Sequence, residues 1–534
     1  MTPLNRRTFV LRSAQLIAGL KSWPVLAVTA PEPVTEVTTG RLRGIRDRGL
    51  NCFLGIPYGA DTAGRRFQPP LAAKPWTGEL LANRFGPRAP QQLSHEAHGA
   101  GYSQPPETGA MSENCLHLNV WTPAGKDGRN RPVLVYIHGG GYNGWSANSD
   151  LYNGVNLCRR GDAVVVTLNH RLNLFGYLYL GGLSTDYADS GNAGMLDLVL
   201  ALGWVRDNIE QFGGDPKRVL IFGQSGGGAK CATLMAMPAA KGLFHRVLTM
   251  SGQQLTGSRP EHATERARAV LQTLGLTPGR LHEIERLPME QLIAAARASS
   301  YFGPVTDGRA LPRDPFSPDA PPLSADVPMI LGNTHDETRF FLGSEANFAL
   351  TWQELPARLE TVAQYLGPLN RDQVVAEFRR MHPEATASDL FFAITTAFRS
   401  WRGQLIEAER RSASATAQPH TWVYELDWRT PVDGGRWGAP HTLDIPLFFD
   451  NTAFAPGMSG DGTAARALAA TMSDTLLAYA ATGNPNHAGL PAWEPYSLTR
   501  RATMSFDRPP HSVLDPRGDE RRFVAQVPYV QPGT

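Results

Sequence analysis

The chain has 534 residues, a formal net charge of +2 and 19% charged residues. This near-neutral balance offers no basic stripe, so we expect no nucleic-acid partner. No run of about 18 apolar residues occurs, so no membrane span is predicted. A chain of this length can bury a substantial core, as two domains or as one large domain with insertions.

The first residues of the chain resemble a twin-arginine export signal rather than fold material. Arg6 and Arg7 precede an apolar stretch, and small residues at 28–30 offer a cleavage site. Arginine pairs occur elsewhere in the chain, which leaves a chance pair as the alternative, but the N-terminal position favours export. The sequence thus predicts a signal over residues 1–30, a single catalytic domain over residues 31–534, and a periplasmic or secreted protein.

The cysteines give no sign of a disulfide framework or of a metal site. Only four are present, scattered from Cys52 to Cys231, and none shows a spacing to another cysteine or a histidine that is typical of metal ligands. We therefore predict neither a metal nor another cofactor.

The predicted elements alternate between strands and helices. Residues 86–112 are rich in Pro, Gly, Ser and His, which predicts a long surface loop. Continuous apolar runs, typical of strands covered on both faces, occupy residues 133–137 and 163–168. Further buried strands are predicted at 219–222 and 246–250, and later strands at 327–331 and 421–426. Helical spacing of apolar residues occupies 194–212 and 463–480. The alternation predicts an α/β fold with a mostly parallel central sheet, helices on both faces, and large helical insertions near 258–300 and 345–415.

A glycine-bounded serine follows one of these predicted strands. Ser225 stands in the segment Gly223–Gly227, between an apolar run and a predicted helix. A sharp strand-turn-helix of this kind exposes a serine hydroxyl as a nucleophile, and the helix N-terminus then faces any developing oxyanion. The pattern alone is weak evidence, because 53 glycines make a chance match common.

A second glycine cluster, His138–Tyr142, follows the strand predicted at 133–137. Successive glycines let the backbone come close to a substrate and turn its amides inward. In hydrolases of this architecture, such a loop and the residue after the nucleophile form the oxyanion hole. We assign Gly140, Gly141 and Gly226 as its donors; the alternative is a glycine-rich turn of no consequence.

Further motifs accompany the serine turn and the glycine loop. They are Phe53–Tyr58, Ser112–Trp121, Gly191–Asn192, Phe212–Pro216, Pro304–Gly308 and Gly483–Asn486. With these motifs the chain resembles the type-B carboxylesterase family, which also contains the cholinesterases. The resemblance spans nearly the whole mature chain. It implies an α/β-hydrolase fold and ester hydrolysis by a Ser-Glu-His triad.

The resemblance also suggests the two partners of Ser225. Adjacent carboxylates, Asp336 and Glu337, end a predicted strand, and the family places its acid on the second of such a pair. Neighbouring side chains point in different directions, so only one can face the histidine, and Asp336 stays the alternative to Glu337. His441 matches the histidine loop of the family, which assigns it as the general base.

Four residues are predicted to line the substrate pocket. Gln224 stands where family members commonly carry glutamate, and Tyr102 is the aromatic residue of the loop 86–112. Tyr301 and Phe302 lie near a segment that shapes the acyl pocket in relatives. The resemblance implies that these side chains face the bound ester.

The predicted function is hydrolysis of neutral or aromatic small-molecule carboxylic esters through an acyl-serine intermediate. One alternative is a non-catalytic binding or adhesion protein on the same fold, although relatives of that kind typically lose a member of the triad. Another is a lipase, which would need an exposed apolar lid that the sequence does not show. The sequence leaves the oligomeric state open.

Overall fold

A large mixed sheet with parallel central strands carries the fold. The computed structural model describes residues 31–92, 101–299 and 301–531. The export signal predicted over residues 1–30 lies outside them, and residues Pro33–Thr534 form one compact unit. Among the described residues, no helix is long and apolar enough to cross a bilayer.

The strands are short, as expected for segments that lie between Gly- and Pro-rich turns. They are β1 (Val34–Val37), β2 (Gly40–Arg43), β3 (Ile45–Asp47), β4 (Leu50–Pro57), β5 (Glu79–Leu81), β6 (His117–Thr122), β7 (Arg131–Ile137), β8 (Val164–Leu168), β9 (Gly214–Gln224), β10 (Arg246–Met250), β11 (Met329–Thr334), β12 (Thr421–Leu426), β13 (Ala502–Phe506) and β14 (His511–Leu514). In the described chain, eleven of them form one sheet in the order β14-β13-β12-β11-β10-β9-β7-β8-β6-β4-β3.

The centre of this sheet, from β8 to β13, is parallel throughout. The edge strands β14, β6, β4 and β3 pair antiparallel. Central strands such as β7 and β8 are buried along their whole length, since helices cover both faces. The predicted α/β-hydrolase fold with a mostly parallel sheet is confirmed.

Helices fill the connections between the parallel strands, as the crossover of a parallel pair requires, and one further helix follows the last strand. They are α1 (Val155–Gly161), α2 (Asn173–Tyr177), α3 (Ala193–Asn208), α4 (Gly226–Leu234), α5 (Pro260–Thr273), α6 (Met289–Ala295), α7 (Glu337–Leu342), α8 (Glu345–Phe348), α9 (Leu355–Arg358), α10 (Ala363–Leu366), α11 (Arg371–Met381), α12 (Ala387–Thr395), α13 (Arg402–Ser412), α14 (Asp444–Phe448), α15 (Pro456–Ser459), α16 (Thr463–Thr482) and α17 (Gly518–Val524). A π-helical segment, Thr396–Trp401, joins α12 to α13.

The two segments predicted as helical insertions are helical. Helices α5 and α6 lie in the first segment, and α8 to α13 lie in the second. The second segment packs around an apolar cluster of its own, which includes Leu359, Phe378 and Phe391. Both insertions leave the parallel sheet uninterrupted.

Two features differ from the sequence-based expectations. The described parts of the loop 86–112 form no helix or strand, but they are not wholly at the surface, because Gln91 and Tyr102 are buried. Strand β6 and the C-terminal strands β13 and β14 belong to the sheet although no strand is predicted there. In all three strands polar residues interrupt the apolar ones, so none of them forms a continuous apolar run like those of the buried central strands.

Candidate active site

Ser225 occupies a strained turn between the end of β9 and the start of α4. Its backbone has φ 58° and ψ −128°, in a region that side chains with a Cβ rarely occupy. Its amide donates to the carbonyl of Met250 at 2.8 Å, which ties the turn to the neighbouring strand β10. The turn lifts the hydroxyl above the carboxyl ends of the parallel strands, where open α/β sheets bind their ligands.

The glycine loop that follows β7 lies beside this turn, because β7 and β9 are neighbours in the sheet. Gly140 and Gly141 have φ of 77° and 59°, a conformation that glycine adopts without strain. A Cβ on Gly226 would collide with the carbonyl oxygen of Gly141, so this close approach also requires glycine. No acceptor among the described residues takes up the amides of these three glycines, which leaves them free to donate to a substrate.

The imidazole of His441 is bound by the carboxylate of Glu337. Nδ1 of His441 lies 2.5 Å from Oε2 of Glu337, and both side chains are buried. The other oxygen, Oε1, accepts from Nδ2 of Asn333 at 3.0 Å and from the amide of Thr334 at 2.9 Å. A carboxylate on Nδ1 holds the ring in the tautomer whose Nε2 can accept a proton.

Glu337 is ionised in this setting despite its burial. Burial by itself raises the pKa of a carboxyl group, but the neighbouring His441 and hydrogen bonds from His441 and Asn333 outweigh it, so the pKa of Glu337 is lowered. The negative charge is therefore available to stabilise the imidazolium form of His441.

The adjacent carboxylate, Asp336, has a different set of partners. It lies 3.2 Å from Nε of Arg339 and 3.5 Å from Nδ1 of His335, and it accepts the amide of Ala439 at 2.9 Å. Asp336 thus supports the loop that carries His441 without contacting the imidazole of His441. Of the two candidates for the acid, Glu337 is the one that contacts the histidine.

Ser225 and His441 line one cavity of about 180 Å³. Its wall also includes Gly140, Gly141 and Gln224. The side-chain amide nitrogen of Gln224 lies 3.1 Å from Nε2 of His441, so a neutral group stands against the ring. Four aromatic side chains also line the cavity, Trp145, Tyr152, Phe340 and Phe341, and the rest of the wall is formed by Gln104, Gly139, Thr442 and Ile445.

Three residues predicted for the pocket do not line this cavity. Tyr102 is fully buried one layer behind it, where its hydroxyl lies 3.2 Å from Oγ1 of Thr442 and its ring packs against Trp437. The ring of Tyr301 packs against that of Tyr142, and Phe302 belongs to the apolar core. All three side chains therefore pack away from the cavity around Ser225, because an aromatic side chain in a loop can be buried by packing as well as by facing a ligand.

The aromatic wall residues were missed because their signal is indirect. Phe340 and Phe341 follow Glu337 in α7, and the ring centroid of Phe341 lies 4.6 Å from that of His441. Trp145 stands four residues after Gly141 and is held by hydrogen bonds between its backbone and the side chain of Gln91. Proximity in sequence to a catalytic motif was the available clue.

One cluster of potential metal ligands occurs in the described part of the chain. His335, Glu425 and Asp427 offer ligand atoms within 4.8 Å of one another. Arg517 already binds Glu425 at 3.0 Å, and Ser505 donates to Asp427. The cluster lies apart from the cavity that contains Ser225.

The fold and the cavity together define an α/β-hydrolase with a serine nucleophile. A profile of the carboxylesterase family matches residues 31–523. The chain belongs to this family, as its motifs predicted, and it is a serine carboxylesterase that acts on carboxylic esters.

Several characterised relatives align over almost the whole chain. The para-nitrobenzyl esterase of Bacillus subtilis (strain 168) is 32% identical over 91% of this chain and 97% of its own. The phenmedipham hydrolase of Pseudarthrobacter oxydans is 31% identical over 92% of this chain and 97% of its own. Among solved structures, the carboxylesterase EST55 of Geobacillus stearothermophilus at pH 6.2 superposes with a TM-score of 0.80 and is 35% identical, over 92% of this chain and 99% of its own.

Proposed function

We propose that the enzyme hydrolyses neutral and aromatic carboxylic esters through an acyl intermediate on Ser225, with His441 as general base and Glu337 as its orienting acid. The observation that carries the proposal is the 2.5 Å contact between His441 and Glu337. His441 lines a cavity that is also lined by Ser225, the residue in the strained turn. A nucleophile, a base and an orienting carboxylate are the parts that acyl transfer requires.

In the first half of the reaction, Nε2 of His441 takes the proton of Ser225 while the hydroxyl oxygen attacks the ester carbonyl. The amides of Gly140, Gly141 and Gly226 then donate to the oxyanion of the tetrahedral intermediate. The imidazolium returns its proton to the alcohol as it leaves. In the second half, water takes the place of the alcohol and releases the acid from the serine.

The wall of the cavity supports the substrate class. Aromatic rings such as Phe341 and Trp145 provide apolar contact area for an aryl or benzyl group. Gln224 adds no charge beside the base, so nothing at this position attracts a cationic alcohol. The name of the para-nitrobenzyl esterase, a relative over almost the whole chain, also points to an aromatic ester.

A covalent phosphate ester tests the assignment of Ser225. Diethyl 4-nitrophenyl phosphate should release one equivalent of 4-nitrophenol per chain and abolish hydrolysis of 4-nitrophenyl butyrate, because water hydrolyses the diethylphosphoryl ester of a serine only slowly. Mass spectrometry should locate the adduct on the peptide that contains Ser225. No release of nitrophenol would favour a non-catalytic protein, and activity confined to triolein emulsions would favour a lipase.

We also propose that residues 1–30 are removed after twin-arginine export and that the mature enzyme works in the periplasm or outside the cell. Arg6, Arg7 and the apolar residues after them support this assignment. Substituting both arginines by lysine keeps the charge, but it should leave the enzyme in the cytoplasmic fraction at full length. If the double variant is still exported, and if azide blocks that export, the general secretory route is indicated instead.

A further inference from the structure

Lys230 is a buried lysine whose polar contacts all lie on the glycine loop. It is the fifth residue of α4, and its side chain is fully buried. Its Nζ donates to the carbonyl of Gly141 at 2.8 Å and to that of His138 at 3.2 Å. The same ammonium lies 5.2 Å from the ring centroid of Tyr142, which ends the loop. The lysine thus joins the helix behind Ser225 to the loop that carries the oxyanion donors.

No acidic side chain in the described part of the chain forms an ion pair with this ammonium. The titratable groups around it are His138 and Tyr142 on the loop, His170 after β8, and Cys231 beside it on α4. Burial, and for the histidines the nearby Lys230, lowers the pKa of His138 and His170, while burial raises the pKa of Tyr142 and Cys231. All four groups are neutral at pH 7, so none compensates the charge.

Two physical effects oppose a charged lysine at this position. Burial lowers the pKa of Lys230 from 10.5 to about 7, because the ammonium has lost its water. The side chains of helical residues also lean toward the N-terminus of their helix, which brings Lys230 back toward Gly226, where the helix dipole disfavours a cation. A negative charge that would offset both effects arises there only when an oxyanion forms between Gly226 and the glycine loop.

We propose that Lys230 is a positioning residue for the hydrolysis assigned to Ser225: its ammonium holds the glycine loop in place and favours the tetrahedral intermediate over the bound ester. The inference rests on the proposed function. Because the intermediate carries the oxyanion and the neutral ester does not, the charge acts on kcat more than on KM. The effect requires the protonated form, which is present below the pKa of the lysine and is lost as the pH rises past about 7.

Lys230→Met tests the inference, because methionine keeps the length of the side chain and removes its charge. We expect kcat for 4-nitrophenyl butyrate to fall by about 10- to 100-fold, below the effect of deleting a direct donor, with KM within about twofold. Affinity for a trifluoromethyl ketone, which adds to Ser225 as an oxyanion, should fall by the same factor. Lys217→Met, at an exposed lysine on β9, is the control and should change neither quantity.

The pH profile and two further variants separate charge from packing. In the wild type, kcat should decrease on the alkaline side of the pH profile. In Lys230→Met this alkaline limb of the profile should be absent. Lys230→Arg should retain more activity than Lys230→Gln, since glutamine can donate a hydrogen bond but carries no charge. Circular dichroism and the thermal midpoint establish that each variant is folded.

Three results would overturn the inference. They are a folded Lys230→Met enzyme with wild-type kcat, full recovery in Lys230→Gln, and an unchanged alkaline limb in Lys230→Met. None of these results would contradict the assignment of Ser225 as the nucleophile. That assignment fails separately, if Ser225→Ala stays active.

Discussion

Ser225→Ala is expected to lower kcat for 4-nitrophenyl butyrate by about 10⁴- to 10⁶-fold, because no other group can form the acyl intermediate. The residual rate would come from substrate binding and from the amides of Gly140, Gly141 and Gly226, which the substitution leaves in place. KM should change little, since the hydroxyl contributes to the transition state rather than to ground-state binding. Steady-state kinetics on enzyme free of wild-type contamination measures both constants.

The thermal midpoint provides the control for this variant. The hydroxyl of Ser225 lines the cavity, and the strained backbone with φ 58° is the same for alanine as for serine. We therefore expect the unfolding midpoint to stay within about 2 °C of the wild type. Loss of activity together with a large drop in the midpoint would point to a folding defect, whereas undiminished turnover in a stable variant would refute the nucleophile.

Glu337→Gln should cost about 10⁴-fold in kcat although it changes a single atom. The carboxylate accepts the Nδ1 proton of His441, and an amide nitrogen in its place would instead donate to Nδ1. The ring would then carry its proton on Nε2 and could not accept one from Ser225. The variant would also lose the negative charge that stabilises imidazolium. Values of kcat and KM at the pH optimum of each enzyme measure the effect.

The matched control is Asp336→Asn, the same substitution one residue earlier. Asp336 binds Arg339 and the amide of Ala439, but not the imidazole of His441. We expect kcat to fall by less than about tenfold and the free energy of unfolding to fall by about 1–3 kcal/mol, because a buried ion pair is broken. If Asp336→Asn lost activity as severely as Glu337→Gln, the assignment of the acid would be wrong.

The sequence motifs predict the triad residues better than they predict which side chains line the cavity. Ser225 and the glycine loop lie in local patterns whose backbone conformation requires particular residues, and His441 lies in a segment that matches the histidine loop of the family, so these patterns predict them. Tyr102 illustrates the limit, because an aromatic residue in a loop can pack inward, as it does here against Trp437. Phe341 illustrates the converse, since nothing in α7 alone indicates that its ring meets His441.

The contacts of Lys230 depend on tertiary structure in the same way. Its place five residues after Ser225 is visible in the chain, yet a lysine on a helix is ordinarily exposed. Its burial follows from the packing of α4 under the loop that leaves β7, a strand far from α4 in sequence but next to β9, the strand before α4, in the sheet. Only that packing directs the ammonium at the carbonyls of His138 and Gly141.

The amino-acid sequence by itself determined the family, the alternation of the central parallel strands with helices, and the local turns that present the nucleophile and the oxyanion donors. These depend on short-range rules: apolar periodicity, and glycine where φ is positive or backbones meet. The tertiary structure decided between the two candidate carboxylates for the contact with His441, and it alone decided which rings form the cavity wall and where the charge of Lys230 lies. Those outcomes are set by side chains from distant segments that share one sheet edge, and no local pattern encodes their distances.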